Sequence, residues 1–461
     1  MPHEVTFDTE LIQRYDANGP RYTSYPTAVQ FNESFDQLAH ESYAKKVDQS
    51  SSRISLYVHL PFCNTICYFC GCNKIVTKRR ERAAPYLERL YKEIEMQSAL
   101  LPSRPLVEQL HWGGGTPTFQ SDLQLRELMG KLRENFNMID DDSGEYSIEL
   151  DPREVTDETL KTLREIGFNR LSLGVQDVNP KVQAAVNRLQ SEEITARAID
   201  GARRENFRSI SIDLIYGLPH QTPQSFELTL DRVIAFSPDR LSMYNYAHMP
   251  ELFKPQRRIN VEDLPSAQQK LEIMKLAIEK LTSSGYVYIG MDHFAKYDDE
   301  LAVAQREGGL YRNFQGYSTH SHCDMMALGI SAISMLGDSF SQNVKTEDEY
   351  FEKIDAGKLP VYRGYALSDD DRLRRAVITG LICHFQLTFS EIEQEFNIDF
   401  WQYFASERQV LEGMAKDGLL QLDEAEIIVS PRGKLLIRNI CMVFDAYLKQ
   451  HVSEQRFSKT I

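Results

Sequence analysis

Hydrophobic and polar positions along the chain follow two alternating repeats, one typical of strands and the other of helices. Short runs rich in β-branched and aromatic residues predict six strands, at Ser55–Leu60, Val107–Trp112, Tyr146–Leu150, Arg170–Val175, Ser209–Tyr216 and Arg240–Tyr246. Between the first two, Leu87, Leu90 and Ile94 recur at helical spacing. Strands that alternate with helices indicate parallel βαβ units, and six units predict an α/β fold with an open or partial (β/α)6 barrel.

The chain before this core is polar and irregular, and it indicates an N-terminal arm over residues 1–50. Within it, the run GPRYTSYPT brings together Arg21, Tyr22 and Tyr25. Two interpretations stay open, because an ordered, surface-exposed segment serves both. The arm either ties down the main domain or contacts a substrate.

The chain after the predicted barrel strands contains two regions that differ in predicted secondary structure. A helix is predicted over Pro265–Thr282, and the glycine-rich stretch 313–338 is expected to pack back on the barrel mouth. Further helices and a hairpin around Asp423–Ala425 predict a winged-helix-like module. We therefore expect three parts: the arm at 1–50, the barrel with its extension at 51–367, and a mainly helical C-terminal domain at 368–461.

Composition narrows the class of protein. The net charge of -15 over 461 residues argues against a nucleic-acid surface, which is usually basic. No apolar run reaches the roughly 18 residues of a membrane span, and the start carries acids without a signal core. Seven cysteines, four of them within ten residues, favour metal binding over disulfides. These features predict a protein of the reducing cytoplasm.

The four clustered cysteines follow directly on the first predicted strand. Cys63, Cys67 and Cys70 have the spacing C-x3-C-x2-C, and three thiolates can hold three corners of a [4Fe–4S] cluster. A zinc site is the alternative, but a second cysteine pair at zinc-like spacing is missing from the sequence. The position of the loop at a strand end is where a barrel keeps its active site. The spacing alone does not decide the role of Cys72.

Polar residues recur at the ends of the later strands. Gly113, Gly114 and Gly115 follow the second strand, where a backbone without side chains can approach a ligand, although a tight turn is the simpler explanation. Glu149 lies near the end of the third strand, and Asp213 lies within the fifth. Such positions are typical of ligand contacts in a barrel, whereas a buried and satisfied polar residue is the alternative at each one.

The chain resembles the oxygen-independent coproporphyrinogen III oxidases of the radical S-adenosylmethionine (SAM) superfamily. The resemblance is carried by SLYVHLPFCNTICYFCGCNKIVT, GPRYTSYPT, LHWGGGTPT, IELDPRE, GVQDVN, IDLIYGLPHQTP and GKLLIRNICMVFD, and it covers nearly the whole chain. It implies that SAM chelates the open iron of a [4Fe–4S] cluster and yields a 5′-deoxyadenosyl radical. Two rounds of hydrogen abstraction, each with loss of CO2 and one electron, would turn two propionates of coproporphyrinogen III into the vinyl groups of protoporphyrinogen IX.

The resemblance also assigns ligand contacts by position. It implies that one SAM is contacted by Tyr57, Phe69, Gly114, Glu149 and Ile333. It implies a second SAM contacted by Gly115, Thr116, Gln176, Arg188, Asp213 and Ala247. A reductant protein such as flavodoxin or ferredoxin would supply electrons, and nothing in the sequence demands more than a monomer.

Roles for several further residues stay open. Cys72 is rejected as an iron ligand, since a fourth thiolate would close the cluster, and is kept as a candidate catalytic residue with His59. His59 is equally a candidate structural hydrogen-bonder. Arginine and lysine pair with carboxylates, so the propionates have candidate partners beyond the arm. These are Lys74, Arg306 and Arg312, beside Arg21, Tyr22 and Tyr25.

One stretch departs from the family pattern, and two other functions share its motifs. THSHCD at Thr319–Asp324 brings His320, His322 and Cys323 together, but without an evident fourth ligand a metal site there is the weaker interpretation. Haem-binding transfer proteins keep the cluster motif but usually lack both CGC and the GPRYTSYPT arm. A haem-opening radical SAM methyltransferase shares the barrel.

Overall fold

The computed structural model describes residues 4–50 and 53–448. The outer ends of the predicted arm and C-terminal domain, residues 1–3 and 449–461, lie outside the described residues. The chain divides into two compact units. We call Phe31–Ser266 with His322–Ala366 the barrel unit, and Met1–Gln30, Ala267–Ser321 and Leu367–Ile461 the terminal unit. The predicted boundaries at residues 50 and 367 stay predictions.

The barrel unit is built on parallel strands, as predicted. In chain order the first six are β1 (Arg53–Leu60), β2 (Leu106–Gly114), β3 (Glu145–Leu150), β4 (Arg170–Gln176), β5 (Ser209–Tyr216) and β6 (Arg240–Asn245). Each pairs in parallel with the next. Their ends differ from the predicted ones by no more than two residues.

Helices connect these strands, and local sequence fixes several of their starts. In chain order they are Ala83–Ser98, Asp122–Asn135, Asp157–Glu165, Pro180–Ala185, Glu192–Arg204 and Pro223–Phe236. Ser121 and Gln124 form a capping box at the second of these, and Thr222 and Ser225 form one at the last. Such caps satisfy amides that would otherwise lack partners at a helix start. The unit also contains the helices Gln37–Ser50 and Glu347–Asp355.

A seventh parallel strand was missed in the sequence. β7 (Asp324–Leu328) pairs with β1 on the side away from β2, inside the glycine-rich stretch expected to pack on the barrel mouth. Its residues Met325–Leu328 are buried, so they carry no alternation that would reveal a strand. An antiparallel extension follows, of Ile333–Met335, Ser339–Asn343 and Val361–Ala366.

The pairing of β1 with β2 is irregular near the start of both strands. Ile54 lies opposite Val107 and Ser55 opposite Gln109, so Glu108 is an extra residue on β2. This arrangement is a β-bulge, which bends a strand and turns a side chain in a new direction. From Ser55 onward the register is regular to Leu60.

The terminal unit is mixed. Its helices are Thr9–Arg14, Ala267–Ser283, Glu300–Glu307, Asp369–His384, Phe389–Phe396, Phe400–Tyr403, Ala405–Lys416 and Ile437–Val443. Its strands are Tyr286–Gly290 with His293–Lys296, Tyr311–Asn313 with Gly316–Ser318, and the three-stranded set Gln386–Thr388, Glu426–Val429 and Leu420–Leu422. The predicted hairpin at Asp423–Ala425 is therefore confirmed, in a small sheet with helices around it.

The described residues contain no helix that combines the length and apolar character needed to cross a bilayer.

Candidate active site

The cysteine loop leaves the C-terminal end of β1 and is held by backbone contacts. Phe62–Cys63 pairs in parallel with Ile75–Val76, which closes the loop at its base. The side-chain amide of Asn187 donates to the backbone carbonyl of Ile66 at 2.7 Å. A loop fixed at base and side holds its cysteines in place before any ligand binds.

Polar and cationic groups surround the three predicted iron ligands. The Thr116 hydroxyl lies 3.6 Å from the Cys63 sulfur, and Arg188 Nη1 lies 3.4 Å from the Cys67 sulfur. A hydrogen bond from Cys72, with help from Lys74, lowers the pKa of Cys70, whereas burial raises the pKa of Cys63 to about 12. Donors directed at sulfur favour the thiolate form, which iron–sulfur clusters require.

The three glycines after β2 allow the backbone of the cysteine loop to come close. A Cβ on Gly115 would lie 2.5 Å from the Pro61 carbonyl oxygen. The amides of Gly115 and Thr116 donate to the carbonyls of Leu60 and Phe62, at 2.9 and 2.8 Å. These two amides are therefore engaged with the protein, so the close approach that glycine permits here is that of the loop.

Glu149, at the end of β3, faces the cavity with 45% of its side chain accessible. Its carboxylate accepts hydrogen bonds from His111 Nε2 at 3.2 Å and from the Gly114 amide at 3.2 Å. Burial acts to raise the pKa of Glu149, but His111 and the Gly114 amide outweigh it, and the pKa lies below its usual value. The site therefore presents a carboxylate ready to receive a cation.

The next strand ends supply a second group of polar side chains. Asp213 on β5 accepts a hydrogen bond from Ser172 at 3.1 Å, and burial, with the nearby charge of Glu149, raises its pKa to about 6. Gln176 ends β4 with a φ of 68°, a left-handed conformation that is uncommon outside glycine. The turn aims its side chain at the same cavity as Asp213.

One cavity gathers most of the predicted site residues. Its lining includes Cys63, Cys67, Phe69, Cys70, Cys72, Gly114, Gly115, Thr116, Glu149, Gln176, Arg188 and Asp213. Tyr57, His59, Ala247 and Ile333 are in the barrel unit but outside that lining. Lys74 also lines the cavity, where its ammonium group donates to the carbonyls of Cys70 and Cys72 at 3.1 and 3.3 Å.

His59 is 5% exposed and both of its ring nitrogens are engaged. Nε2 lies 3.0 Å from the Asn73 carbonyl and Nδ1 lies 3.0 Å from the Tyr57 hydroxyl. A carbonyl accepts only, so Nε2 carries the proton and Nδ1 accepts from tyrosine. Burial lowers the pKa of His59, which keeps it neutral. This geometry fits the structural alternative better than proton donation.

The aromatic residues of the arm make their hydrogen bonds within the terminal unit. Tyr22 is buried and donates to Asp445 at 2.9 Å, and the Tyr25 hydroxyl accepts from the Ala446 amide at 3.0 Å. Arg21 pairs with Asp292 at 3.4 Å. These contacts fit an arm that is tied down, and they leave Tyr22 and Tyr25 little surface for a substrate.

A network beside Cys67 was missed in the sequence. Asp151, directly after β3, pairs with Arg188 at 3.1 Å and with Arg153 at 2.6 Å. Arg153 Nη2 also lies 3.8 Å from the Cys67 sulfur. Asp151 orients both guanidinium groups beside one cysteine. Its position immediately after a strand was the signal that could have identified it.

Comparisons with known proteins agree with this geometry. The family model for the radical SAM superfamily matches residues 57–233, and the model for the HemN C-terminal domain matches residues 367–436. The chain is 56% identical to the oxygen-independent coproporphyrinogen III oxidase of Pseudomonas aeruginosa, with 100% of both chains covered. It is 52% identical to that of Escherichia coli strain K12, with 99% of both covered.

The solved structure of coproporphyrinogen III oxidase (HemN) from Escherichia coli, titled a radical SAM enzyme, superposes with a TM-score of 0.93. It is 51% identical, and the match covers 96% of this chain and all of that one. The chain belongs to the oxygen-independent coproporphyrinogen III oxidase family. The predicted family and fold class are thereby confirmed.

Membership in this radical SAM family implies SAM and a [4Fe–4S] cluster as cofactors. The residues present fit both groups. Cys63, Cys67 and Cys70 line one cavity with cationic groups around them, and Arg188 has a buried Nε without a hydrogen-bond partner among the described residues. In this oxidase family member, the three cysteines would hold iron, and the Glu149 carboxylate lines the same cavity.

Proposed function

We propose that this chain catalyses the oxygen-independent oxidative decarboxylation of two propionates of coproporphyrinogen III, giving protoporphyrinogen IX in haem biosynthesis. The observation that carries the proposal is the convergence of Cys63, Cys67, Cys70 and Glu149 on one cavity, in a chain that belongs to this oxidase family. When bound, the cluster and SAM supply a 5′-deoxyadenosyl radical able to take hydrogen from a propionate.

The chain's own residues bind and orient these groups. Cys63, Cys67 and Cys70 hold three irons, and Thr116 and Arg188 stabilise the negative charge on the sulfurs. Glu149 receives the ammonium group of SAM, because its carboxylate is ionised and faces the cavity.

We propose that two SAM molecules bind, as the family resemblance implies. The support is the division of polar groups around the cavity. Gly114 and Glu149 lie at or near the ends of β2 and β3, while Gln176 ends β4 and Asp213 lies within β5. Burial and the charge of Glu149 raise the pKa of Asp213 to about 6, whereas the pKa of Glu149 lies below its usual value.

The substrate's carboxylates need cationic partners, and Lys74 is the predicted candidate that lines the cavity. Arg312 belongs to the terminal unit, where it is 7% exposed and its guanidinium lies 4.7 Å from the ring centre of Tyr317. We propose that Lys74 pairs with a propionate carboxylate.

The reaction itself is tested with cluster-loaded protein under anaerobic conditions. Incubation with SAM, a low-potential reductant and coproporphyrinogen III should give protoporphyrinogen IX, with 5′-deoxyadenosine formed alongside it. The products are separated by chromatography and identified by mass. Stoichiometric haem binding without any decarboxylation would instead favour a haem-transfer protein. Methylation of haem with opening of its ring would favour the methyltransferase.

We further propose a reductant protein such as flavodoxin or ferredoxin, a monomeric state and a cytoplasmic location. A low-potential electron donor is needed because cluster-dependent SAM cleavage consumes an electron. All seven cysteines are free thiols, and a cluster loop needs its thiols reduced. This usage is typical of a reducing compartment.

A further inference from the structure

Three potential metal ligands meet near the start of the barrel strands, away from the cysteine loop. His322 Nε2 lies 2.7 Å from Glu108 Oε2, and the Cys323 sulfur lies 3.8 Å from the same oxygen. The imidazole nitrogen, the sulfur and the carboxylate oxygen all lie within 4.8 Å of one another. A residue of β2 thus joins a pair from the other side of β1, over 200 positions later in the chain.

The fold has specific reasons for this meeting. Glu108 is the extra residue of the β-bulge on β2, so its side chain leaves the regular alternation of the strand. Cys323 directly precedes β7, whose first residue lies opposite Ile54 of β1. The three groups are therefore held by the backbones of neighbouring parallel strands.

The two oxygens of the Glu108 carboxylate have different partners, because Arg53 at the start of β1 pairs with only one of them. Arg53 Nη1 pairs with Glu108 Oε1, while Oε2 is the oxygen that faces His322 and Cys323. In metal sites, a carboxylate ligand is commonly held by a second hydrogen bond that fixes its orientation. Arg53 occupies that position here.

We propose that Glu108, His322 and Cys323 bind a zinc ion at a site separate from the iron–sulfur cluster. Sulfur, imidazole and carboxylate are the ligand types of zinc, and three protein ligands leave one position for water. His322 is half exposed and gives access from solvent, while Cys323 is buried and shielded. On binding, the Cys323 thiol gives its proton to solvent and its sulfur bonds the metal.

The site is well separated from the proposed chemistry. Glu108 precedes the end of β2 by six residues, which corresponds to roughly 20 Å of strand. Loss of the zinc ligands should therefore leave the iron content unchanged. This separation makes the two metals distinguishable in one preparation.

The test uses the cluster-loaded enzyme, equilibrated anaerobically with Zn2+ and freed of excess metal. Zinc and iron per chain are then measured by plasma mass spectrometry. We expect one zinc per chain in the wild type and in His320→Ala, the control for a neighbouring histidine outside the trio. His322→Ala and Cys323→Ser should lose that zinc and keep their iron. Equal zinc in all four proteins would overturn the proposal.

Zinc-edge X-ray absorption supplies a second readout. One sulfur neighbour with nitrogen and oxygen neighbours is expected from these ligands. An all-sulfur environment would place the zinc on Cys63, Cys67 and Cys70 and would overturn the assignment. Arg53→Ala should weaken zinc affinity about tenfold, as loss of a supporting hydrogen bond does. An unchanged zinc affinity in this variant would show that Arg53 does not support the zinc site.

Discussion

The two ends of the parallel strands carry cysteines that are assembled in different ways. At the C-terminal end, Cys63, Cys67 and Cys70 come from one short loop that is anchored on the neighbouring strand ends. At the N-terminal end, Cys323 meets Glu108 across an intervening strand. The first arrangement is local in sequence, and the second exists only because the strands are aligned.

This difference decides how each end responds to substitution. The cysteine loop is packed against backbone atoms of β1 and β2, so small changes there meet rigid neighbours. The trio at the other end includes a half-exposed histidine and an ion pair with a half-exposed Arg53 side chain. Exposed pairs contribute little to stability, roughly 0–1 kcal/mol each. The C-terminal end should therefore show the larger effects.

The largest effect is expected within the cysteine loop. Cys67→Ser should abolish cluster-dependent SAM cleavage, because an iron ligand that Arg188 contacts is lost. Cys72→Ser should retain iron, since Cys72 is an exposed thiol at the cavity and is not assigned to the cluster. Iron analysis and 5′-deoxyadenosine formation measure both. Equal loss of iron in the two variants would refute the ligand assignment.

A smaller effect is expected from the glycines that let the loop approach β2. Gly115→Ala would place a methyl group 2.5 Å from the Pro61 carbonyl oxygen, and should cost roughly 2 kcal/mol or more in unfolding free energy and reduce bound iron. Gly130→Ala is the control, because a Cβ there meets nothing within 4 Å in a helix. The control should gain up to about 1 kcal/mol. Similar stabilities of the two variants would contradict this account.

A third effect, confined to a window of pH, concerns β7, which links the two ends by beginning after Cys323 and ending before Gly329. The buried Glu93 accepts from the Gly329 amide and from Tyr350, and burial raises its pKa to about 7. The folded protein then binds the Glu93 proton more tightly than the unfolded chain. Wild-type stability should therefore fall as pH rises from about 4.5 to about 7, by about 3 kcal/mol for this group.

Glu93→Gln has no ionisation at this position, so its unfolding free energy should lack that decline. The measurement is denaturant unfolding of both proteins at several pH values. The advantage of the variant should grow toward pH 7 and then level off. Parallel pH profiles for the two proteins would show that Glu93 does not titrate in this window.

Much of the C-terminal end could be predicted from sequence, for physical reasons. The six strands β1 to β6 are short runs rich in β-branched and aromatic residues, and a strand's end locates the residues after it. The spacing of Cys63, Cys67 and Cys70 is itself a geometric constraint, since three thiolates on one short loop must face one ligand. Glu149 and Asp213 were found by the same rule.

The other parts of the fold and of the site could not be predicted from the sequence, because they depend on contacts between distant segments. The strand β7 is buried and lies in a glycine-rich stretch, so its pattern resembled a packed loop. THSHCD lacked a further ligand in sequence because Glu108 is supplied by a bulge, which no local pattern reveals. The engagement of the Gly115 and Thr116 amides, and the pairing of Asp151 with two arginines, likewise require the folded backbone.

The three residues Gly114, Gly115 and Thr116 have a consequence for oxygen sensitivity. The Gly114 amide holds the Glu149 carboxylate, Thr116 contacts the Cys63 sulfur, and Gly115 joins them to the cysteine loop. Oxidative destruction of a cluster would free Cys63 and disturb this segment. The proposed contact of Glu149 with SAM would then weaken together with the loss of iron. Damage by air should thus release both cofactors from the protein, and repair would have to begin with the iron.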